Sequence, residues 1–205
     1  MISGSEEKPL YMQEDVFAAE MKQARHLVVD TWYAYMHPKT ISQYAPDIRR
    51  RLALRVSQKD KDYTQAIRSN NNKILVGIHI RHGDFAEYQD GKFFYSFRQY
   101  AQMALELQRH ESNHDIAFLI CCNEAIPEGV FKGIEWFPGP GTLTGDLHAL
   151  SQCDFIMGPP STYNTWASFI GDVPRYELKE GTDTPRLNAF KREHPLGYPY
   201  PYTMT

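Results

Sequence analysis

The stretch "KILVGIHIRHGDF", residues 73–85, decides how the chain is read. Residues 73–80 form a mostly apolar run rich in branched side chains. A run this short and this apolar reads as a strand buried on both faces, the kind that parallel sheets use. His79 and Arg81 alternate with Ile78 and Ile80, so both are expected on one face at the strand's end. Gly83 permits a sharp turn there. Asp84 can then fold back onto loop amides or onto Arg81. A guanidinium at a strand end, braced by a carboxylate, is a two-pronged holder for phosphate.

Downstream, the pattern alternates. "SFRQYAQMALELQRH" (96–110) places Phe97, Tyr100, Met103, Ala104 and Leu107 on one helical face. "DIAFLICC" (115–122) reads as a second buried strand and "IEWFPG" (134–139) as a third. "GDLHALSQC" (145–153) reads as a helix and "DFIMG" (154–158) as a fourth strand. "PPSTYNTWASFIG" (159–171) enters another helix, and "VPRYEL" (173–178) is a fifth strand. Strands alternating with helices predict an α/β fold: a Rossmann-like parallel sheet of about five strands with right-handed crossovers. Such sheets bind ligands beyond the carboxyl ends of their strands. Two segments lie at such ends, 81–84 and 159–162. Ser161 and Thr162 open a helix, where hydroxyls and free backbone N–H groups accept an anion. Ser161 as a plain helix cap accounts for the same residues without a ligand.

Residues 1–72 read as a helical leader. Residues 16–35 step by threes and fours, although "HLVVDTWY" could be a short strand. "MHPKT" breaks that pattern, Pro46 is placed near the start of a short helix, and "SQKDKDYTQAIRSNNN" is a polar helix or loop. No strand pattern is visible in this leader. The expected division is therefore a leader at 1–72, a ligand-binding domain at 73–178, and an irregular Pro- and Tyr-rich tail at 179–205.

The 205 residues suffice for one such domain. With 42% hydrophobic, 23% charged and 13% aromatic residues, the chain is not a disordered one. A net charge of −3 gives no nucleic-acid surface, so a phosphate ligand must be held locally. Three cysteines, two adjacent, fit a reducing compartment rather than a disulfide framework. No apolar run reaches the ~18 residues of a transmembrane helix, and the N-terminus has no signal layout. The expected location is cytoplasmic, unless the chain is part of a longer one. His79, His82 and Asp84 could ligate a metal by residue type, but no matching cluster stands at another strand end, so none is expected.

Two families share the short motif. "RHG" looks like the signature of histidine phosphatases, in which His82 would attack phosphorus and a distal His, such as His148 or His194, would assist. "HIRHGD" looks like the H-x-R-R-G-D of GT-B fucosyltransferases of the α1,2, α1,6 and protein O-linked branches. "DLHALSQCDF" (146–155) is very similar to the α1,6 enzymes' donor segment, and "PST" falls where that family has a serine pair. The phosphatase scheme leaves "STYNTW" without a role. The resemblance covers 74–178. It implies an inverting, metal-independent transfer of fucose from GDP-fucose to a glycan acceptor, with no cofactor. It implies that Arg81 binds the β-phosphate, that His79 supports the nucleotide, that Asp146 hydrogen-bonds guanine, and that Ser161 and Thr162 hold phosphate. It also places His82 and Asp84 in the donor site. His82 stands where the family has a second arginine, which makes that charge pH-dependent. The family's N-terminal acceptor domain is expected to be missing or supplied elsewhere. Glu87, with Asp90, is a candidate catalytic base in the loop after Arg81, though both also read as solvated carboxylates. A nucleotide-sugar-binding domain without catalysis is the other reading.

Overall fold

In the computed structural model the apolar run forms a strand from Ile74 to Ile80. The structure describes residues 10–11, 19, 22–23, 34–35, 38–69 and 72–192. The chain divides into two compact units, Met1–Arg51 with His194–Thr205, and Leu52–Glu193.

In the first unit, β1 (Leu10–Tyr11) pairs in parallel with β2 (Ala34–Tyr35). This corrects the expectation that the leader carries no strand. Of the helix expected over 16–35, only Ala19, Lys22 and Gln23 are described as helical, and the rest lies outside the described residues. The expected lead at 1–13 lies outside them too, apart from Leu10 and Tyr11. α1 (Pro38–Arg51) starts on Pro38, whose fixed φ suits a first helical position, and so "MHPKT" begins a helix as well as ending a pattern. Pro46 lies inside this helix and not at its start. Ile41 and Ala45, four apart on one face, are both buried, which offsets the missing hydrogen bond.

The second unit contains α2 (Gln58–Ser69), β3 (Ile74–Ile80), α3 (Phe97–His110), β4 (Ile116–Cys122), β5 (Trp136–Pro138), α4 (Leu143–Ser151), β6 (Phe155–Gly158), α5 (Thr162–Gly171) and β7 (Arg175–Glu177). The five strands β3 to β7 form one parallel sheet in the order β5-β4-β3-β6-β7. The α/β, Rossmann-like expectation holds. α3 starts where Ser96 and Gln99 form a capping box.

Alternation along β3 distributes its side chains between two cores. Val76, Ile78 and Ile80 pack with Tyr100, Met103 and Leu107 of α3. Leu75 belongs to the other face, with Ile67 of α2, Ala149 and Leu150 of α4 and Ala167 of α5. Burying a large aliphatic side chain in this way contributes about 1.5–3 kcal/mol each. At the amino end of the sheet, Asp154 accepts both Arg68 nitrogens at 2.8 and 3.0 Å and the Leu75 N–H at 2.8 Å. One carboxylate thus ties α2 and the start of β6 to β3.

This unit begins before the boundary expected at residue 73 and ends after the one expected at 178. The physical reasons are local. α2 buries Ile67 against the sheet, and Lys191 pairs with Arg175 beside β7. Phe190 packs on Phe155 and Tyr176, with ring centroids 5.2 and 5.5 Å apart. The "YPYPY" tail lies outside the described residues. No helix among the described residues is long and apolar enough to cross a membrane.

The chain builds β3, β4 and β5 toward one edge, then returns to place β6 and β7 on the other side of β3. Neighbouring connections therefore diverge between the ends of β3 and β6, the switch point at which open sheets of this kind leave a crevice.

Candidate functional site

Arg81 follows β3 directly. Its Nε donates to Asp84 Oδ1 at 3.2 Å and its Nη2 to Asp84 Oδ2 at 2.8 Å. Gly83, at φ 64°, adopts the left-handed conformation that lets Asp84 return to Arg81. The guanidinium lies over the Phe85 ring, 4.9 Å from its centroid. Arg81 holds the Asp84 carboxyl below the usual range. The fork is thus fixed from below and from one side and remains partly exposed.

His79, one turn of the pleat earlier, is buried on the α4/α5 side of the sheet. Its ring lies 4.9 Å from that of Tyr163, in the first turn of α5. Burial, with the nearby Arg81 charge, lowers its pKa to about 3. The ring is neutral, and its Nδ1 has no hydrogen-bond partner among the described residues. Such an orphaned buried atom is uncommon and calls for a ligand or a water.

Across the crevice, Ser161 caps α5 and its hydroxyl oxygen accepts the Tyr163 N–H at 3.2 Å. Thr162, the first helical residue, is exposed. The loop before them is fixed by Asn164, fully buried, which donates to the Pro159 carbonyl at 2.8 Å. Asn164 in turn accepts Arg175 at 3.3 Å, and Arg175 also donates to Glu177 at 2.9 Å. Gly158 permits the close approach of the two strand ends. A Cβ there would lie 2.9 Å from the His79 carbonyl oxygen.

Asp146 is in the first turn of α4, capped by Thr142. Its Oδ1 accepts the Gly141 N–H at 2.8 Å, and burial raises its carboxyl above the usual range. It faces a cavity of about 200 Å³ walled by Trp136, Pro138, Ile126 and Glu124. Tyr163 joins this side to the crevice, since its hydroxyl donates to the Leu143 carbonyl at 2.6 Å. Burial and the Asp146 charge raise that hydroxyl's pKa.

The remaining residues expected at the site are placed differently. His82 is buried on the α3 side, between Phe94 and Phe97 at centroid distances of 4.7 and 4.6 Å. Its Nε2–H donates to the Tyr95 carbonyl at 2.8 Å and its Nδ1 bonds Glu124 at 3.0 Å. The ring expected in the donor site is turned away from Arg81 by alternation, and both its nitrogens are bonded within the fold, as they would not be in a phosphohistidine nucleophile. His148 lies in α4, and His194 is outside the described residues. Glu87 ends a short 3-10 turn, Gly83–Ala86, and is exposed, as is Asp90.

Several contributors escaped the sequence. The Tyr163 ring packs over His79. Tyr63 of α2 donates to the Pro138 carbonyl at 2.9 Å, and Asp60 accepts the Thr142 hydroxyl at 2.9 Å, so the polar helix of the leader supports the cavity's rim. No motif marked them. Asn164, three residues after Ser161, is buried with Ser168 on one face of α5.

No curated protein sequence matches the chain at a significant level. Among solved structures, the chain is similar to an Arabidopsis thaliana FUT1 mutant in complex with GDP. The two are 14% identical with a TM-score of 0.52, over 88% of this chain and 49% of that one. It is also similar to POFUT1 in complex with GDP, at 13% identity and TM-score 0.45, over 73% and 54%. A third is the ADP-heptose LPS heptosyltransferase II of E. coli, at 15% and 0.39, over 63% and 42%. The chain spans about half the length of these structures. The likeness to FUT1 is one of fold. The sequence model of glycosyl transferase family 11 matches residues 9–187, most of the chain, and the chain belongs to that family.

Proposed function

We propose that the chain is the donor-binding part of a glycosyltransferase that moves fucose from GDP-fucose to a glycan acceptor with inversion. The observation that carries this reading is the switch point between β3 and β6. A braced arginine follows β3, a serine-capped helix starts after β6, and the His79–Tyr163 contact links the two strand ends. Two anion-holding elements at one switch point suit a diphosphate.

In this reading Arg81 grips the β-phosphate with two N–H groups. It offsets the charge that grows on the leaving diphosphate as the sugar C1–O bond breaks. The Ser161 hydroxyl, Thr162 and the amides of α5 take the remaining phosphate oxygens. Asp84 acts on Arg81 and not on the donor. His79, being neutral, offers Nδ1 to the nucleotide. Asp146 receives guanine, whose adjacent N–H and NH₂ donors match one carboxylate, and Trp136 walls the cavity. The acceptor hydroxyl enters from the face opposite the diphosphate, which inverts C1. Glu87 is the base this chain offers for its proton. The guanidinium and the helix start supply positive charge, so the transfer requires no divalent metal and no cofactor. The nucleotide sugar and the glycan are the partners.

Calorimetric titration of the full chain with GDP, UDP and ADP, with and without Mg²⁺, tests this. GDP-selective binding that ignores Mg²⁺ and disappears in Arg81→Ala is the expected result. Equal affinity for the three nucleotides, or GDP binding that survives Arg81→Ala, would overturn it. Binding without transfer to any glycan would leave a nucleotide-sugar-binding domain.

A further inference from the structure

The loop that carries Arg81 has few anchors of its own. Between β3 and α3, residues 86–90 are all exposed, and Gln89, Asp90 and Gly91 are successive left-handed residues. Besides the Arg81–Asp84 pair, the bonds that tie the beginning of this loop to neighbouring segments converge on one residue, His82. Its backbone N–H donates to Asn123 Oδ1 at 3.3 Å, just beyond β4. Its Nε2–H holds the Tyr95 carbonyl, and Tyr95 is itself anchored, buried against Tyr100 with its hydroxyl donating to the Leu178 carbonyl at 3.3 Å. Its Nδ1 meets Glu124. Glu124 is also a wall of the cavity that Asp146 faces. The Tyr95 carbonyl makes Nε2 a donor, and Nδ1 lies 3.0 Å from the Glu124 carboxylate, so the ring is held from both nitrogens. Phe94 and Phe97 pack against the ring.

We propose that His82 is a positioning residue that ties the turn bearing Arg81 to the Glu124 wall of the cavity, so that the diphosphate and the base of one nucleotide are held in a single register. The inference rests on the donor-site reading above and adds to it a coupling between its two halves. His82 touches neither half of the nucleotide. It works through Arg81 on one side and Glu124 on the other.

A double-mutant cycle read by GDP calorimetry and thermal unfolding tests it. His82→Gln places an amide near the Nε2 position, keeps the Tyr95 bond and drops the Glu124 bond. Glu124→Ala drops the same bond from the half-exposed side, where folding is little affected. Each single change is expected to weaken GDP binding about tenfold, the scale of a lost charge-assisted hydrogen bond. The double variant is expected to be no weaker than either single one. Glu124→Gln, whose amide oxygen still accepts from the ring, is expected to restore most of the affinity. Additive losses of about a hundredfold in the double variant would mean that Glu124 acts on the nucleotide without His82, and would overturn the proposal. A lowered unfolding midpoint with unchanged GDP affinity would reduce His82 to a core residue and overturn it as well. A wild-type chain that takes up no GDP overturns the donor-site reading itself, and this inference with it.

Discussion

One strand and its turn send chemically similar residues to opposite faces. His79 and His82 are three apart, so the two-residue pleat parts them. His79 loses its proton readily because it is buried with Arg81 nearby. That has a consequence for stability. The unfolded chain protonates this ring near 6.5, whereas the folded chain resists until about 3. Its contribution is full above pH 6.5 and is lost as the pH falls from 6.5 toward about 3, because there the unfolded state binds the extra proton. Urea midpoints measured across that window should fall with decreasing pH. The fall should be shallower in His79→Phe, which has no ring nitrogen to protonate. Parallel slopes for the two proteins would contradict the assignment. His82 shows the complementary case, a ring consumed by its own fold. Its histidine identity is visible in "RHGD", but its direction is a matter of parity along β3.

Between elements, the crevice depends on how closely β3, β6 and α5 approach. Gly158 ends β6 with no side chain. A Cβ there would stand 2.7 Å from Asn164 Nδ2 and 2.9 Å from the His79 carbonyl oxygen. The second of these is backbone and cannot turn aside. Gly158→Ala should therefore cost about 1–3 kcal/mol of stability, the usual cost of overpacking, visible as a lower thermal midpoint. It should also weaken GDP binding, since β6 carries the Ser161 loop. Unchanged stability would show that the strands have room to part. The same scale explains why α2, which reads as part of the leader, packs in one unit with the sheet. Its sequence, "QKDKDYTQAIRS", is mostly polar, yet Ile67 joins the core and Asp60, Tyr63 and Arg68 each bond a distant loop or strand. Polar side chains that serve as struts look like solvated ones until their partners are known.

For the whole molecule, the sheet shelters two of its three cysteines. Cys121 and Cys153 are buried, and burial pushes both thiols up. Cys122 is partly exposed at the end of β4. An alkylating reagent should modify Cys122 first in the native chain and reach the other two only on unfolding, a pattern that mass spectrometry resolves. Early labelling of Cys121 or Cys153 would mean that the sheet opens locally.

What the sequence determined by itself is the order of strands and helices and the residue types at the carboxyl ends of β3 and β6. Buried parallel strands announce themselves as apolar runs such as 74–80 and 116–122, and Ser161 follows its strand as a helix cap must. Those are local signals, written in neighbouring residues. Only the tertiary structure decided that β6 returns beside β3, that Tyr163 covers His79, that Asp60 and Tyr63 brace the rim near Asp146, and that His82 is spent on Tyr95 and Glu124. Each of these contacts joins residues far apart in the chain. Their geometry follows from how layers pack and from the parity of a strand, neither of which any short stretch of sequence records.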